Sequence, residues 1–516
     1  DDIHAQRWQN LSVPAPWQPQ IDGLETSTGS GWYRKHLQLD GATDDSVWVL
    51  HFGAAYHYAQ VWLNGHYLGD HDGGWLPFEF TLDPALLRAG DNELIVRVVL
   101  PSNDPIRYPD FPASETLHGK QSWYGPWGGL WQSVWIEQRA SVHIQQASVS
   151  MDAGQASITP EVKLNQWRDG LQYQVEVLDM DDHLIQSTKI DCTSAELNSY
   201  SVRLDAAPEL WSPDNPYLYT IHISLLLNGE RIDEVTVTSG FRTIEARDGQ
   251  IFLNGEPFYM RGALDQDYYP DTIATPPSEA FLRDQFQKAK DMGLNTLRYH
   301  IKIADPMYYD LADRMGLLLW VDLPTWTSLT DAVQKRIRET LFGMIERDRH
   351  HPSIAIWTVV NEDWGTDLVH NASHRAWLRD MYHWVKDLDP TRLVVDNSPC
   401  VPNFHIETDI ADYHYYFSIP DHREQWDALT EKIAHDPSVI FSPHGDAIIT
   451  GQEPIIVSEF GNWSLPDVDG LMDAQGREPW WFETGSDWAE GIVYPHGVKQ
   501  RFRQWHLDSV FGSWKQ

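Results

Sequence analysis

Residues 354–365 read IAIWTVVNEDWG, an uninterrupted apolar run from Ile354 that delivers Asn361 and Glu362 and then breaks at Gly365. A run without polar alternation suits a strand buried on both faces, as in a parallel sheet covered by helices. A glutamate at the C-terminal end of such a strand sits where α/β barrels gather their chemistry. The pattern recurs in EPIIVSEFGNW, residues 453–463, where Ile455, Ile456 and Val457 lead to Glu459 and Gly461 follows. In a chain with 75 acidic residues, one such glutamate is more simply a solvated loop residue or a helix cap. Two of them, each set among Trp, Asn and Gly, point to a pair of working carboxylates. Three βα units of roughly 30 residues fill the interval between them, which puts them on strands 4 and 7 of one barrel.

The neighbouring segments carry the same rhythm. Ser278 can cap a helix whose Leu282, Phe286 and Ala289 recur at helical spacing up to Gly293. Residues 294–300 (LNTLRYH) and 317–324 (LLLWVDLP) read as strands, and Val333, Ile337, Leu341 and Ile345 mark an amphipathic helix over 331–348. Residues 391–398 (TRLVVDNS) and 409–416 (DIADYHYY) supply two more strands. Strands alternating with helices argue for a (β/α)8 TIM barrel over 244–516. After Glu459 the segment 498–514 reads as a helix and no eighth strand remains, so the barrel is expected to be C-terminally incomplete. Another chain or an unusual closure by the tail would then complete it.

Upstream the pattern is β throughout. Residues 1–140 hold strands such as VWVLHFG and ELIVRVVL and a hairpin signal at Asn64-Gly65. The long loop 101–126 is of a length that usually carries function. Residues 141–243 show short strands with turns at Asp181-Asp182 and Asn228-Gly229, the pattern of an immunoglobulin-like β-sandwich.

Composition bounds the function. A formal net charge of -37 over 516 residues disfavours nucleic acid or anionic membrane surfaces as partners. The two cysteines, Cys192 and Cys400, imply neither a disulfide framework nor a cysteine-rich zinc site. No apolar run is long enough to span a bilayer. The chain starts at Asp1 without a methionine or a signal peptide, which leaves its compartment open. The 25 tryptophans are mostly expected in cores, with a few facing sugar rings.

Paired carboxylates at a barrel mouth serve glycoside hydrolysis, one donating a proton to the leaving oxygen and the other attacking the anomeric carbon or activating water. Arg298 could pair with one carboxylate and hold it ionised. His300, Asp267, Asp322, Asn397, His414 and Tyr415 fall at similar strand ends. No helical His pair or Cys/His spacing specifies a metal, and no cofactor is expected.

Four further segments carry a family resemblance: residues 62–80 (WLNGHYLGDHDGGWLPFEF), 122–137 (SWYGPWGGLWQSVWIE), 209–219 (ELWSPDNPYLY) and 240–262 (GFRTIEARDGQIFLNGEPFYMRG). With the two glutamate strands they resemble the family 2 glycoside hydrolases, the family of β-galactosidase, β-glucuronidase and β-mannosidase. The resemblance runs through the chain and implies an N-terminal jelly roll, an immunoglobulin-like domain and a catalytic barrel. It also implies a retaining exo-glycosidase acting on a carbohydrate through a covalent intermediate. By that resemblance Glu362 is the acid/base, Glu459 the nucleophile and Asn361 the partner of the sugar 2-hydroxyl. Arg298 and His300 flank the nucleophile, Asp267 is an acidic substrate contact, and His414 and Tyr415 line the sugar site. The signatures that separate the family's activities are not present, so a galactoside is favoured with a glucuronide or other terminal sugar open. The reading from another class is a non-catalytic carbohydrate-binding protein. A homo-oligomer is a further expectation.

Overall fold

The computed structural model describes residues 8–460, apart from 25, 40–45, 270, 401 and 417–422, together with residue 475. The expected helix over 498–514 and the question of an eighth strand lie outside the described residues.

The first unit is a sandwich of two antiparallel sheets. One runs Gly29–Leu39, Gly90–Leu100, Tyr58–Leu63, His66–Asp72, and the other Phe78–Leu82, Ser46–Phe52, Val134–Ala140. The hairpin at Asn64-Gly65 forms as the sequence predicts, both residues holding positive φ (52° and 82°). In the second sandwich, Leu171–Leu178 alternates buried and half-buried residues along its whole length, because one face packs on the opposing sheet. A small antiparallel sheet over Ile244–Arg247, Gln250–Leu253 and Glu256–Phe258 then leads into the barrel domain.

The barrel strands are β1 (Gly262–Asp265), β2 (Thr296–Tyr299), β3 (Leu318–Asp322), β4 (Ile354–Asn361), β5 (Leu393–Ser398), β6 (Ala411–His414) and β7 (Ile455–Glu459). The first five form one parallel sheet in chain order, and β6 and β7 form a parallel pair beside it. A bridge from Cys400 to His414 and the bond from Asp409 N–H to Val394 O connect the two groups. Helices α1 (Glu279–Asp291), α2 (Pro306–Met315), α3 (Asp331–Asp348), α4 (Ala372–Leu388) and α5 (Arg423–His435) cover the outside. Ser278 caps α1 and Thr330 caps α3, each side chain accepting from an N–H three residues on. All eight residues of β4 are buried, as expected for a parallel strand between helices and barrel interior.

The domains are packed on one another. A continuous apolar core joins the first sandwich to the barrel, with Trp75, Trp127 and Trp131 set edge to face at 5.4–5.7 Å beside Tyr269 and Tyr299. These tryptophans are core, in line with the expectation from composition. From the end of the second sandwich, the buried Arg242 donates to the carbonyls of Pro352 (3.0 Å), Thr391 (2.9 Å) and Ile354. It therefore anchors the N-terminal end of the strand that carries the first glutamate.

Candidate active site

The end of β4 is bent by its backbone. Glu362 N–H continues the ladder to Ser398 O at 2.9 Å, after which Glu362 and Asp363 adopt positive φ (53° and 60°) and the chain turns away. Such conformations cost non-glycine residues on the order of 1–3 kcal/mol and persist where surrounding structure enforces them. Gly365 completes the turn at φ 78°, and a Cβ there would stand 2.3 Å from the Trp326 ring. Only glycine fits, which accounts for the glycine break after the apolar run.

Arg298, at the C-terminal half of β2, organises the interior. Its guanidinium donates to Asp322 Oδ2 (2.9 Å), Glu459 Oε1 (2.9 Å) and Asn361 Oδ1 (2.8 Å), so one side chain ties together the ends of β3, β7 and β4. Its Nη1 also lies 3.2 Å from His414 Nε2. A guanidinium only donates, so in the neutral ring Nε2 accepts and the hydrogen sits on Nδ1. His414 Nδ1 then donates to Glu362 Oε1 at 2.7 Å. His300 Nδ1 is 2.9 Å from Asp322 Oδ2. Tyr416 donates to Glu459 Oε2, and Trp364 Nε1 to Glu362 Oε2 at 3.3 Å. The Nδ2 of the buried Asn361 has no partner among the described residues.

Burial favours the neutral acid at both glutamates, yet both are held ionised. At Glu362 the hydrogen bond from His414 and the Lys120 ammonium outweigh burial and bring the carboxyl down to about 2. At Glu459 burial is outweighed by His414, Arg298 and His300, against a smaller opposing push from Glu362. Lys120 is itself buried, which depresses its ammonium, while Glu362 and Glu459 pull the other way.

Glu362, Glu459, Asn361, Arg298, His300 and His414, with Asp322, thus converge. Glu362, His414 and Glu459 bring ligand atoms within 4.8 Å of one another, a spacing a cation could use. Arg298 and Lys120 already supply positive charge there, so the cluster reads as an ion-paired network. Two expected residues are not brought to it. Asp267 is occupied by Tyr299 (2.7 Å), Tyr269 and Lys302, so its carboxylate is a buried internal acceptor. Tyr415 turns its ring edge-on to Trp426 at 4.6 Å, because successive residues at the end of β6 point to opposite faces. The neighbouring Tyr416 makes the contact instead. Asn397 braces the rim, accepting from Asp363 N–H at 3.1 Å. Lys120, Trp364 and Tyr416 escaped the sequence reading. Only the length of the 101–126 loop hinted at Lys120.

Comparison with known proteins follows the same three units. The glycosyl hydrolases family 2 sugar binding domain matches residues 4–113, glycosyl hydrolases family 2 matches residues 133–242, and the glycosyl hydrolases family 2 TIM barrel domain matches residues 244–475. A beta-galactosidase of Thermoanaerobacter pseudethanolicus is 26% identical over 486 residues, covering 92% of this chain and 63% of its own length. A beta-glucuronidase of Streptococcus agalactiae is 27% identical, covering 85% of this chain and 76% of its own. The chain spans 47% and 37% of two other relatives. The structure of Bifidobacterium dentium beta-glucuronidase complexed with coumarin-3-O-glucuronide shares the fold, with a TM-score of 0.72 at 21% identity, covering 95% of this chain and 83% of its own.

Proposed function

Because the chain belongs to glycosyl hydrolase family 2, we propose that it is a retaining exo-β-glycosidase that cleaves a terminal β-linked sugar through a covalent glycosyl-enzyme intermediate. The observation that carries this reading is the carboxylate pair, with oxygens of Glu362 and Glu459 within 4.8 Å of each other. Retaining enzymes hold their carboxyls about 5–5.5 Å apart, whereas inverting ones leave about 6.5–9.5 Å for a water. Glu459, kept ionised and aimed by Arg298 and Tyr416, is the nucleophile. It attacks the anomeric carbon while the glycosidic C–O bond breaks and the leaving oxygen takes a proton from Glu362. Glu362 then takes a proton from water, which attacks the ester and releases the sugar. The Nδ2 of Asn361, which has no partner among the described residues, is a buried donor for the sugar 2-hydroxyl.

A general acid must hold a proton, and the unliganded Glu362 is held as a carboxylate. Burial opposes that state, so a substrate that offsets the charge of Lys120 or displaces the His414 hydrogen bond leaves burial to protonate it. Among sugars a β-galactoside is favoured. The test is a panel of chromogenic galactosides, glucuronides and mannosides. Glu459→Gln should lower turnover by at least about a thousandfold, and Glu362→Ala should lose about 10²–10⁴-fold on poor leaving groups while sparing nitrophenyl glycosides. Undiminished hydrolysis by the Glu459 variant would overturn the assignment.

A further inference from the structure

Behind His414, on the side away from Glu362, stands a buried group of hydroxyls around a carboxyl. Ser398, the last residue of β5, places its Oγ 2.8 Å from His414 Nε2 and also against Asp412 Oδ2. Asp412 and His414 lie two residues apart on β6 and so share a face. Ser458 of β7 bonds the same Oδ2, because the register of β7 against β6 shifts beside it and lets Ser458 and Glu459 both reach inward. Ser398, Asp412 and His414 are all buried.

One hydroxyl carries one hydrogen, and that of Ser398 has two acceptors within reach. It can go to Nε2 of a ring whose hydrogen is on Nδ1. It can also go to Asp412, and Oγ then accepts from a hydrogen on Nε2. These two positions match the two states of Glu362. As a carboxylate, Glu362 Oε1 accepts from His414 Nδ1 at 2.7 Å. As an acid it keeps its carbonyl toward Trp364 Nε1, which only donates, so its O–H falls at Oε1 and donates to a bare Nδ1.

We infer that Ser398, backed by Asp412, is a positioning residue that lets His414 change tautomer, so that Glu362 holds a proton without losing its partner. The inference rests on Glu362 being the acid/base of the proposed reaction. The protons balance. One proton from solvent enters at Nε2, the Nδ1 hydrogen crosses to Glu362, and the Ser398 hydrogen turns from Nε2 to Asp412, so the ring stays neutral. When Glu362 protonates the leaving oxygen, the ring keeps its hydrogen on Nε2. The new carboxylate then faces a bare Nδ1 and takes the proton of the attacking water. Neighbouring groups set the bias. Arg298 Nη1, 3.2 Å from Nε2, opposes a hydrogen there and, with Lys120, favours the ionised Glu362 of the unliganded site. Glu459 Oε1, at 3.4 Å from Nε2, is a more distant acceptor than Ser398. Tyr416, with its ring 6.3 Å away, and Cys400, bridged through its backbone, also stand beside His414.

The test replaces the acid by an amide. In Glu362→Gln the carbonyl again faces Trp364, so the NH2 is a permanent donor to Nδ1. Two-bond 15N–1H spectra of histidine-labelled protein, with the ring assigned by His414→Asn, should place the hydrogen on Nδ1 in wild type and on Nε2 in Glu362→Gln. Adding Ser398→Ala should return part of the population to Nδ1–H. A hydrogen that stays on Nδ1 in Glu362→Gln, or a double variant identical to Glu362→Gln, overturns the inference. Turnover supplies a second readout. Ser398→Ala removes the acceptor of the Nε2 hydrogen and disfavours the proton-bearing state, so the alkaline limb of kcat/KM should fall by about one pH unit. Alkyl glycosides should lose roughly tenfold more than nitrophenyl glycosides, and Ser398→Thr, which keeps the hydroxyl, should restore both. Asp412→Asn keeps the shape, weakens the acceptor and carries the same measurement should Ser398→Ala fold poorly. Equal losses on both substrate classes overturn the inference. A wild type that hydrolyses no glycoside sinks the glycosidase reading alone, because the tautomer spectra need no turnover.

Discussion

Replacing Arg298 by Met tests how the site is held together. The side chain is buried among Asp322, Glu459 and Asn361, and its guanidinium is the shared partner of two buried carboxylates. Removing one member of a buried ion pair costs about 3–5 kcal/mol, because the surviving charge stays buried without its partner. Here Asp322 keeps His300 at 2.9 Å and Glu459 keeps Tyr416, so the expectation is near the lower end of that range. The pH dependence follows from the sign. Asp322 and Glu459 are both held below their ordinary values, so their contribution is present above about pH 4 and is lost as pH falls through the native values. Without Arg298 both carboxyls rise, and the deficit is largest at neutral pH and shrinks under acid conditions, where the carboxyls are neutral. Urea unfolding of the barrel transition at pH 7 and near pH 4, followed by Trp fluorescence in wild type and Arg298→Met, measures it. A deficit below about 1 kcal/mol at neutral pH, or one equal at both pH values, would refute the argument that Arg298 compensates buried charge.

Three further outcomes follow from geometry. Tyr416→Phe removes a hydrogen bond to the Glu459 carboxylate, worth about 1.5–3 kcal/mol, so kcat/KM should fall roughly 10- to 100-fold on an activated glycoside. Tyr415→Phe, whose ring faces Trp426, should change it less than about threefold on the same assay, and a reversed order would show that the end of β6 is misread. Gly365→Ala places a methyl 2.3 Å from Trp326 at φ 78°, so it should destabilise by about 1–3 kcal/mol. Thermal unfolding checks this, and a wild-type melting temperature would count against a rigid turn after Glu362.

The barrel strands and their order were legible because burial on both faces leaves a local trace: continuous apolar runs closed by Gly, Asn or Asp. The pairing of Glu362 with Glu459 was legible too, since βα units have a regular length and strand ends share one rim. Tyr415 shows where local pattern fails. Both tyrosines follow the same strand, and alternation from His414 puts Tyr416, not Tyr415, on the face of the carboxylate. The contacts of Asp267 were equally out of reach of a local pattern. Its strand-end position is right, but Lys302, Tyr299 and Tyr269 converge on it only in the folded core.

The sequence by itself determined the three β, β and α/β units and the two glutamates, because periodicity and strand-end position are short-range properties. Arg298 was expected beside one carboxylate, and the tertiary structure decided which further groups set the charge of those glutamates. Arg298, His414 and Lys120 come from two barrel strands and from a different domain, far apart in the chain. Electrostatic energy depends on distance in space and on burial, and neither is written in the spacing of residues.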